Sequence, residues 1–289
     1  MANQPNPKNK RYSLGCNPDP LPRESYRLVK PLTKAQLAAI PTSYTIAGAA
    51  KVPVYDQGTL GSCTSFGSGT TFEIRAQTVT GTSRTSCHLQ IYQCELVHDG
   101  NPRNSDVGSS LSTAAWVLEN MGVAAESAYP YNTNNFGNQI PANVLAAAKT
   151  DELLKATKLD GTTQQETINN TKASIASDYP AMFGMNWYNS FFSPDGSGNL
   201  PAPSGGVAGG HALALFAFDD NHPNPSGTTG AFRGRNSWNA SWGLGGDFWI
   251  GYDLILNIDD GFSDVWNHMV ETGFQLFGAT RKLPEPLLD

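Results

Sequence analysis

Apolar and polar positions along this chain follow a helical period in the first half and a strand-like pattern in the second. Residues 63–79 read as a helix that begins at Cys63. Gly67 and Gly69 lower its intrinsic propensity, so packing has to hold it. A second helical stretch covers residues 86–98, where Cys87, Ile91, Cys94 and His98 recur on one face. A third covers 109–121, opened by Ser109-Ser110 and stopped by Gly122, the residue expected just past a helix C-terminus. Residues 141–158 and 165–177, rich in Ala, Lys and Thr, also read as helical. Then the pattern changes. Residues 181–185 and 211–218 are apolar runs of strand length, and 231–235 and 247–252 continue the series. Between them lie a long Gly-, Ser- and Pro-rich loop at 189–210 and a turn-rich break at 221–230. Helices first and strands afterwards predict an α+β fold with a helical first lobe and an antiparallel, barrel-like second lobe.

Composition narrows the partners. The chain has 289 residues, enough for one large domain or two lobes with their own cores. Its formal charge of −6 gives no dominant basic surface for nucleic acid. No apolar run approaches the ~20 residues of a membrane helix, so neither nucleic acid nor membrane is an expected partner. The first residues lack the apolar core of a secretory signal, and a cytoplasmic location is the expectation. Residues 1–37 are rich in Pro, Asn, Lys and Arg with little periodicity. They read as an arm or short pro-segment, or as a disordered tail.

Candidate chemistry centres on one thiol. Cys63 ends the Gly-rich turn Asp56-Gln57-Gly58-Thr59-Leu60-Gly61-Ser62 and stands where a helix begins. Far downstream come Gly209-Gly210-His211-Ala212 and then Asn236-Ser237-Trp238. A helix N-terminus and an adjacent imidazolium both stabilise a thiolate. A thiol, a distant His and a later Asn are the parts of a cysteine–histidine nucleophilic site. The same residues also suit plain structural roles: a small core thiol, a core histidine in an apolar strand, a polar turn Asn and an exposed turn Gln.

These segments, in this order, resemble the papain-like cysteine peptidases, and more closely their bacterial-type branch, over roughly residues 40–270. Asp56-Gln57-Gly58 is similar to the family's oxyanion segment and Gly61-Ser62-Cys63 to its nucleophile turn. Gly210-His211-Ala212 is similar to the segment of its base. Asn236-Ser237-Trp238, with Ser241-Trp242-Gly243 and Gly246-Asp247-Phe248-Trp249-Ile250, is similar to its third catalytic segment. The resemblance implies a two-lobed papain-like fold with the active site in the cleft between the lobes. It implies catalytic roles for Cys63, His211, Asn236 and Gln57, and peptide contacts from Gly61, Ser62, Thr64, Gly108, Ser109, Gly210 and Trp238. Relatives often carry Trp where Thr64 stands, and secreted ones a half-cystine where Leu60 stands.

The expected organisation is therefore an arm at 1–37, a peptidase domain at 38–280 and a tail at 281–289. Within the domain, the helical lobe spans about 50–132 and the β-rich lobe about 133–275. The expected activity is hydrolysis of a peptide or protein substrate through a thioester on Cys63, without metal or organic cofactor. Acyl transfer to another acceptor, or an inactive binding module, are the alternatives. The Cys87, Ile91, Cys94 and His98 stripe reads as core rather than metal site. Gly243-Leu244-Gly245-Gly246 lacks the strand–turn–helix context of a phosphate loop. The arm is expected to lie across the cleft and act as an intramolecular inhibitor.

Overall fold

The computed structural model describes residues 12–21, 25–26, 29–151 and 155–255, together with the backbone of three later strands. In chain order the elements are α1 (Lys34–Ala39), β1 (Ser43–Thr45), α2 (Cys63–Thr80), α3 (His88–His98), α4 (Leu111–Asn120) and α5 (Ala142–Ala148). They continue with β2 (Lys155–Lys158), α6 (Gln164–Ala176), β3 (Ala181–Tyr188), β4 (Val207–Pro223), β5 (Thr229–Arg235) and β6 (Asp247–Gly251). The last strands are β7 (Ser263–Met269), β8 (Gln275–Leu276) and β9 (Ala279–Thr280). The tail at 281–289 and the first part of the arm lie outside the described residues.

One antiparallel sheet runs β2-β7-β3-β4-β5-β6, and β1 adds to β4. Its curl comes from β4, whose register shifts twice against β5. The fold is the α+β arrangement anticipated above, a helical part beside a curled antiparallel sheet. One apolar cluster joins Phe72, Leu89, Ile91, Leu111, Val117 and Leu118 between α2, α3 and α4. A second joins Phe183, Trp187, Leu215, Phe218, Phe232 and Phe248 on the sheet.

Helix α2 lies between the two clusters, and its sequence explains how. Almost every position is buried although the helix is rich in Ser and Thr. The hydroxyls of Ser65, Ser68, Thr71, Thr78 and Thr80 donate to carbonyls three or four residues back. Each of these hydroxyls is thus paired within the helix itself. At Gly67 a Cβ would stand 3.3 Å from both Leu213 N and Leu213 O, so the helix backbone rests almost directly on β4. Glycine makes that approach without displacing the strand.

Several helix ends sit where their capping residues place them. Ser110 Oγ accepts from Thr113 N at the start of α4, and Thr163 Oγ1 accepts from Glu166 N at the start of α6. Two segments differ from expectation. Residues 141–158 are split: α5 ends at Ala148, and Lys155–Lys158 pair with β7 as an edge strand. The Lys-Ala-Thr-Lys text has no periodicity of its own to oppose that pairing. Within the arm, α1 carries a capping box in which Thr33 and Gln36 bond reciprocally, a short-range signal that the arm's composition obscured.

Arg235 ties the sheet to the segment leading into α2. Its Nε and Nη2 donate to Asp247 at 2.8 and 3.3 Å, and its Nη1 donates to Ala49 O and Val52 O at 2.9 and 2.6 Å. Replacing Arg235 with Leu leaves Asp247 buried with Arg233 as its remaining cation. The expected cost is about 3 kcal/mol of stability, the range for breaking a buried, hydrogen-bonded pair, read as a lowered urea midpoint with unchanged slope.

Candidate active site

The turn before α2 is fixed from both sides. Gln57 N donates to Ser237 O at 2.8 Å, and Asp56 bridges Trp238 in antiparallel pairing. The Gln57 side chain is fully buried. Its Oε1 accepts from Ser237 Oγ at 2.6 Å and its Nε2 donates to Leu60 O at 2.8 Å. Tyr131 OH donates to Gln57 O and also meets Ser62 Oγ, each at 2.8 Å. Asp106 receives Gly61 N at 2.9 Å and Tyr92 OH at 2.5 Å, and Tyr92 OH in turn accepts from Gly108 N. The nucleophile turn and the 106–108 segment are thereby tied through one carboxylate.

Cys63 is the first residue of α2 and is completely buried. Burial pushes its thiol up to about 12, partly offset by backbone N–H groups of Ala212, Gly15 and Thr64 that hydrogen-bond the sulfur. The Ala212 contact places β4 against the thiol. His211, the preceding residue, has its Nε2 2.8 Å from Asn236 Oδ1. Its ring stacks on Trp238 at 4.4 Å between centroids and meets the edge of Trp187 at 4.9 Å. Nδ1 is the buried ring nitrogen without a partner. Burial drives the imidazole down to about 3, with the Asn236 bond pulling the other way. Asn236 Oδ1 is held by Ser237 N at 2.7 Å, which fixes the carboxamide and hence the ring. In this closed arrangement thiol and imidazole are both neutral at pH 7.

What closes the site is the arm. Gly15 N and Cys16 N both donate to Gly210 O, at 3.1 and 3.0 Å. Ser109 N donates to Gly15 O at 2.9 Å and Asn17 N to Ser109 O at 2.7 Å, a parallel bridge along the 107–109 segment. Upstream, Tyr12 stacks on Trp238 at 4.7 Å, and Trp238 Nε1 donates to Ser13 O. Downstream, Asp19 takes Ser112 N and the Lys158 ammonium, at 3.1 and 2.8 Å. The fit admits no side chain at position 15: a Cβ there would lie 1.9 Å from Gly61 O. At Gly108, with φ +73°, one would lie 2.0 Å from Gly15 O.

Cys63, His211, Asn236, Gln57, Gly61, Gly108, Ser109, Gly210 and Trp238 therefore converge on one place. Thr64 does not face the cleft: its hydroxyl donates to Glu95 Oε2 on α3 at 2.6 Å, inside the helical layer. Ser62 is fully buried with its hydroxyl on Tyr131. Tyr131, Tyr92, Asp106 as a carboxylate, Trp187 and Ser237 escaped the sequence reading, since each works through a contact distant in the chain. Among the described residues, no group of three or more His, Cys, Asp or Glu is placed to hold a metal ion. Cys87 caps α3 and donates to Tyr129 O, while His98 stacks on Trp116.

Residues 40–257 match the family model described as papain family cysteine protease. An uncharacterized peptidase C1-like protein of Acanthamoeba polyphaga mimivirus is 30% identical over 221 residues, 73% of this chain and 68% of that one. Among solved structures, xylellain, a cysteine protease from Xylella fastidiosa, superposes with a TM-score of 0.75 at 24% identity, covering 90% of this chain and 97% of that one. Procathepsin B S9 from Trypanosoma congolense gives 0.65 at 16% identity, covering 89% and 86%.

A raised thiol pKa sets a test. In the full chain, alkylation of Cys63 by iodoacetamide is expected to be still rising at pH 10 instead of levelling off above the ordinary thiol pKa, because the raised thiol keeps its proton over most of that range. Burial is the larger cause of the shift, so displacing the arm lowers the thiol pKa and speeds alkylation at pH 7. Mass spectrometry of the Cys63 peptide against time measures both.

Proposed function

Since the chain belongs to the papain family of cysteine proteases and is a cysteine-type peptidase, we propose that it hydrolyses peptide bonds through a thioester on Cys63. The observation that carries this reading is the buried His211–Asn236 pair under Trp238, one residue from the Ala212 amide that reaches the sulfur. With the arm displaced, water enters and the penalty on charged forms falls. The proton passes from Sγ to His211 Nδ1, while Nε2–H remains on Asn236 Oδ1. The thiolate attacks the substrate carbonyl carbon. The oxygen takes the charge and meets the Cys63 N–H and the Gln57 amide. Gln57 Nε2 has two hydrogens, one of them committed to Leu60 O, so the other is free to donate. His211 then protonates the leaving amine, and the C–N bond breaks. Water, deprotonated by His211, adds to the thioester and releases acid and thiol.

The arm is the inhibitor of this site in the same reading. It lays Gly15 beside the thiol with both backbone polar groups engaged, N on Gly210 O and O on Ser109 N. The arm blocks the cleft without serving as substrate.

Deletion of residues 1–37 is expected to raise kcat/KM on a small peptide library on the order of a hundredfold, the worth of two or three net hydrogen bonds. Gly15→Val acts in the same direction, and Cys63→Ala abolishes cleavage. Unchanged rates after deletion would refute inhibition by the arm. In the arm-deleted enzyme, Gln57→Ala lowers kcat by roughly 3 kcal/mol of transition-state stabilisation, with KM little changed.

A further inference from the structure

The buried carboxylate behind the nucleophile has no part in the mechanism above. Glu95 lies on α3, fully buried. Its Oε2 accepts the hydroxyl of Thr64, the residue after Cys63, at 2.6 Å, and its Oε1 has no partner. One turn later on the same helix, Asp99 accepts the hydroxyls of Ser109 and Thr113 at 3.0 and 2.7 Å. One helix face thus grips the first turn of α2 through Glu95 and the cleft-lining 107–109 segment through Asp99.

We infer that Glu95 is a positioning residue for the nucleophile: through the Thr64 hydroxyl it fixes the first turn of α2, and when it ionises it sets a negative charge behind the sulfur that opposes the thiolate. The inference rests on Cys63 being the nucleophile. A second buried anion at the same helix start competes with the thiolate for the positive end of α2. No Lys, Arg or His among the described residues lies within ion-pair distance of Glu95 to cancel it. The charged group that acts on it is Asp99 at the end of its own helix; Cys63 on α2, Tyr92 and Cys94 feel its charge in turn. Beyond them, Asp106 faces Tyr92 and Arg103 acts on Cys94. Helix α4 brings the neutral Thr113 to this face. Burial raises the Glu95 carboxyl to about 8, with the Thr64 bond lowering it and Asp99 raising it. The charge therefore appears within the working range of a thiol enzyme.

Cys63 alkylation by iodoacetamide in the full-length protein, followed from pH 5.5 to 10, reads this directly. Wild type is expected to show a lag in the rise of log rate between about pH 7 and 9, as Glu95 ionises and holds the thiolate back. Glu95→Gln keeps an acceptor for Thr64 and removes the charge. It should rise without the lag, match wild type at pH 6 and run about fivefold to tenfold faster at pH 9, the worth of roughly one pKa unit. Coincident profiles, or an offset equal at every pH, would overturn the inference. The Thr64→Val and Thr64→Ser pair decides the matter independently of whether Glu95→Gln folds. Val removes the one hydrogen bond that the carboxylate accepts among the described residues and should move the lag to higher pH; Ser should restore it. A lag unmoved in Thr64→Val also overturns the inference. A protein that alkylates as described yet cleaves no peptide would refute the peptidase mechanism and leave the role of Glu95 standing.

Discussion

The close approach of α2 to β4 is the contact on which the site depends. Gly67 lets the helix backbone rest on Leu213, and the neighbouring Ala212 amide reaches Cys63 Sγ. A Cβ at position 67 would meet Leu213 N and O at 3.3 Å, so helix and strand would have to give by a few tenths of an ångström. Hydroxyls that pair within α2 allow this polar helix to be enclosed between two apolar clusters at little cost in unpaired groups. The site sits at the seam between the helical layer and the sheet, because Cys63 belongs to one and His211 to the other.

Burial governs the chemistry of the closed form. The arm excludes water from the thiol, and Trp187 and Trp238 enclose the imidazole. The low-dielectric surroundings push the thiol up and the imidazole down, so each stays neutral. In the proposed mechanism the same groups become an ion pair once the cleft opens. In that proposal the arm has two effects, filling the cleft and holding the reactive groups in their unreactive protonation states. Glu95 adds a third influence from behind the helix, independent of the arm.

Much of this was legible from local text. The helix at Cys63, the stop at Gly122 and the caps at Ser110 and Thr163 follow from residues a few positions apart. So do the apolar runs that became β3 to β6. The capping box of α1 was also local, though the composition around it obscured it. Lys155–Lys158 were not legible, because a four-residue edge strand owes its conformation to β7 more than to its own residues. The expected peptide contact from the Thr64 side chain is not made for a related reason, since its hydroxyl lies on Glu95. Adjacent helix positions point in directions about 100° apart, and which of them meets the cleft depends on how the helix is rolled against α3.

The order of chemical types along the chain settled the family and hence the fold. A thiol at a helix start, a later imidazole and a still later carboxamide under a Trp are properties of residue identity, and they survive without coordinates. Tertiary structure alone decided that Gly15 packs on Gly61 beside the thiol, that Gln57 is oriented by Ser237, and that a carboxylate on α3 stands behind Cys63. Those contacts join residues far apart in the chain. Their existence depends on packing distances of a few tenths of an ångström, which periodicity and composition do not encode.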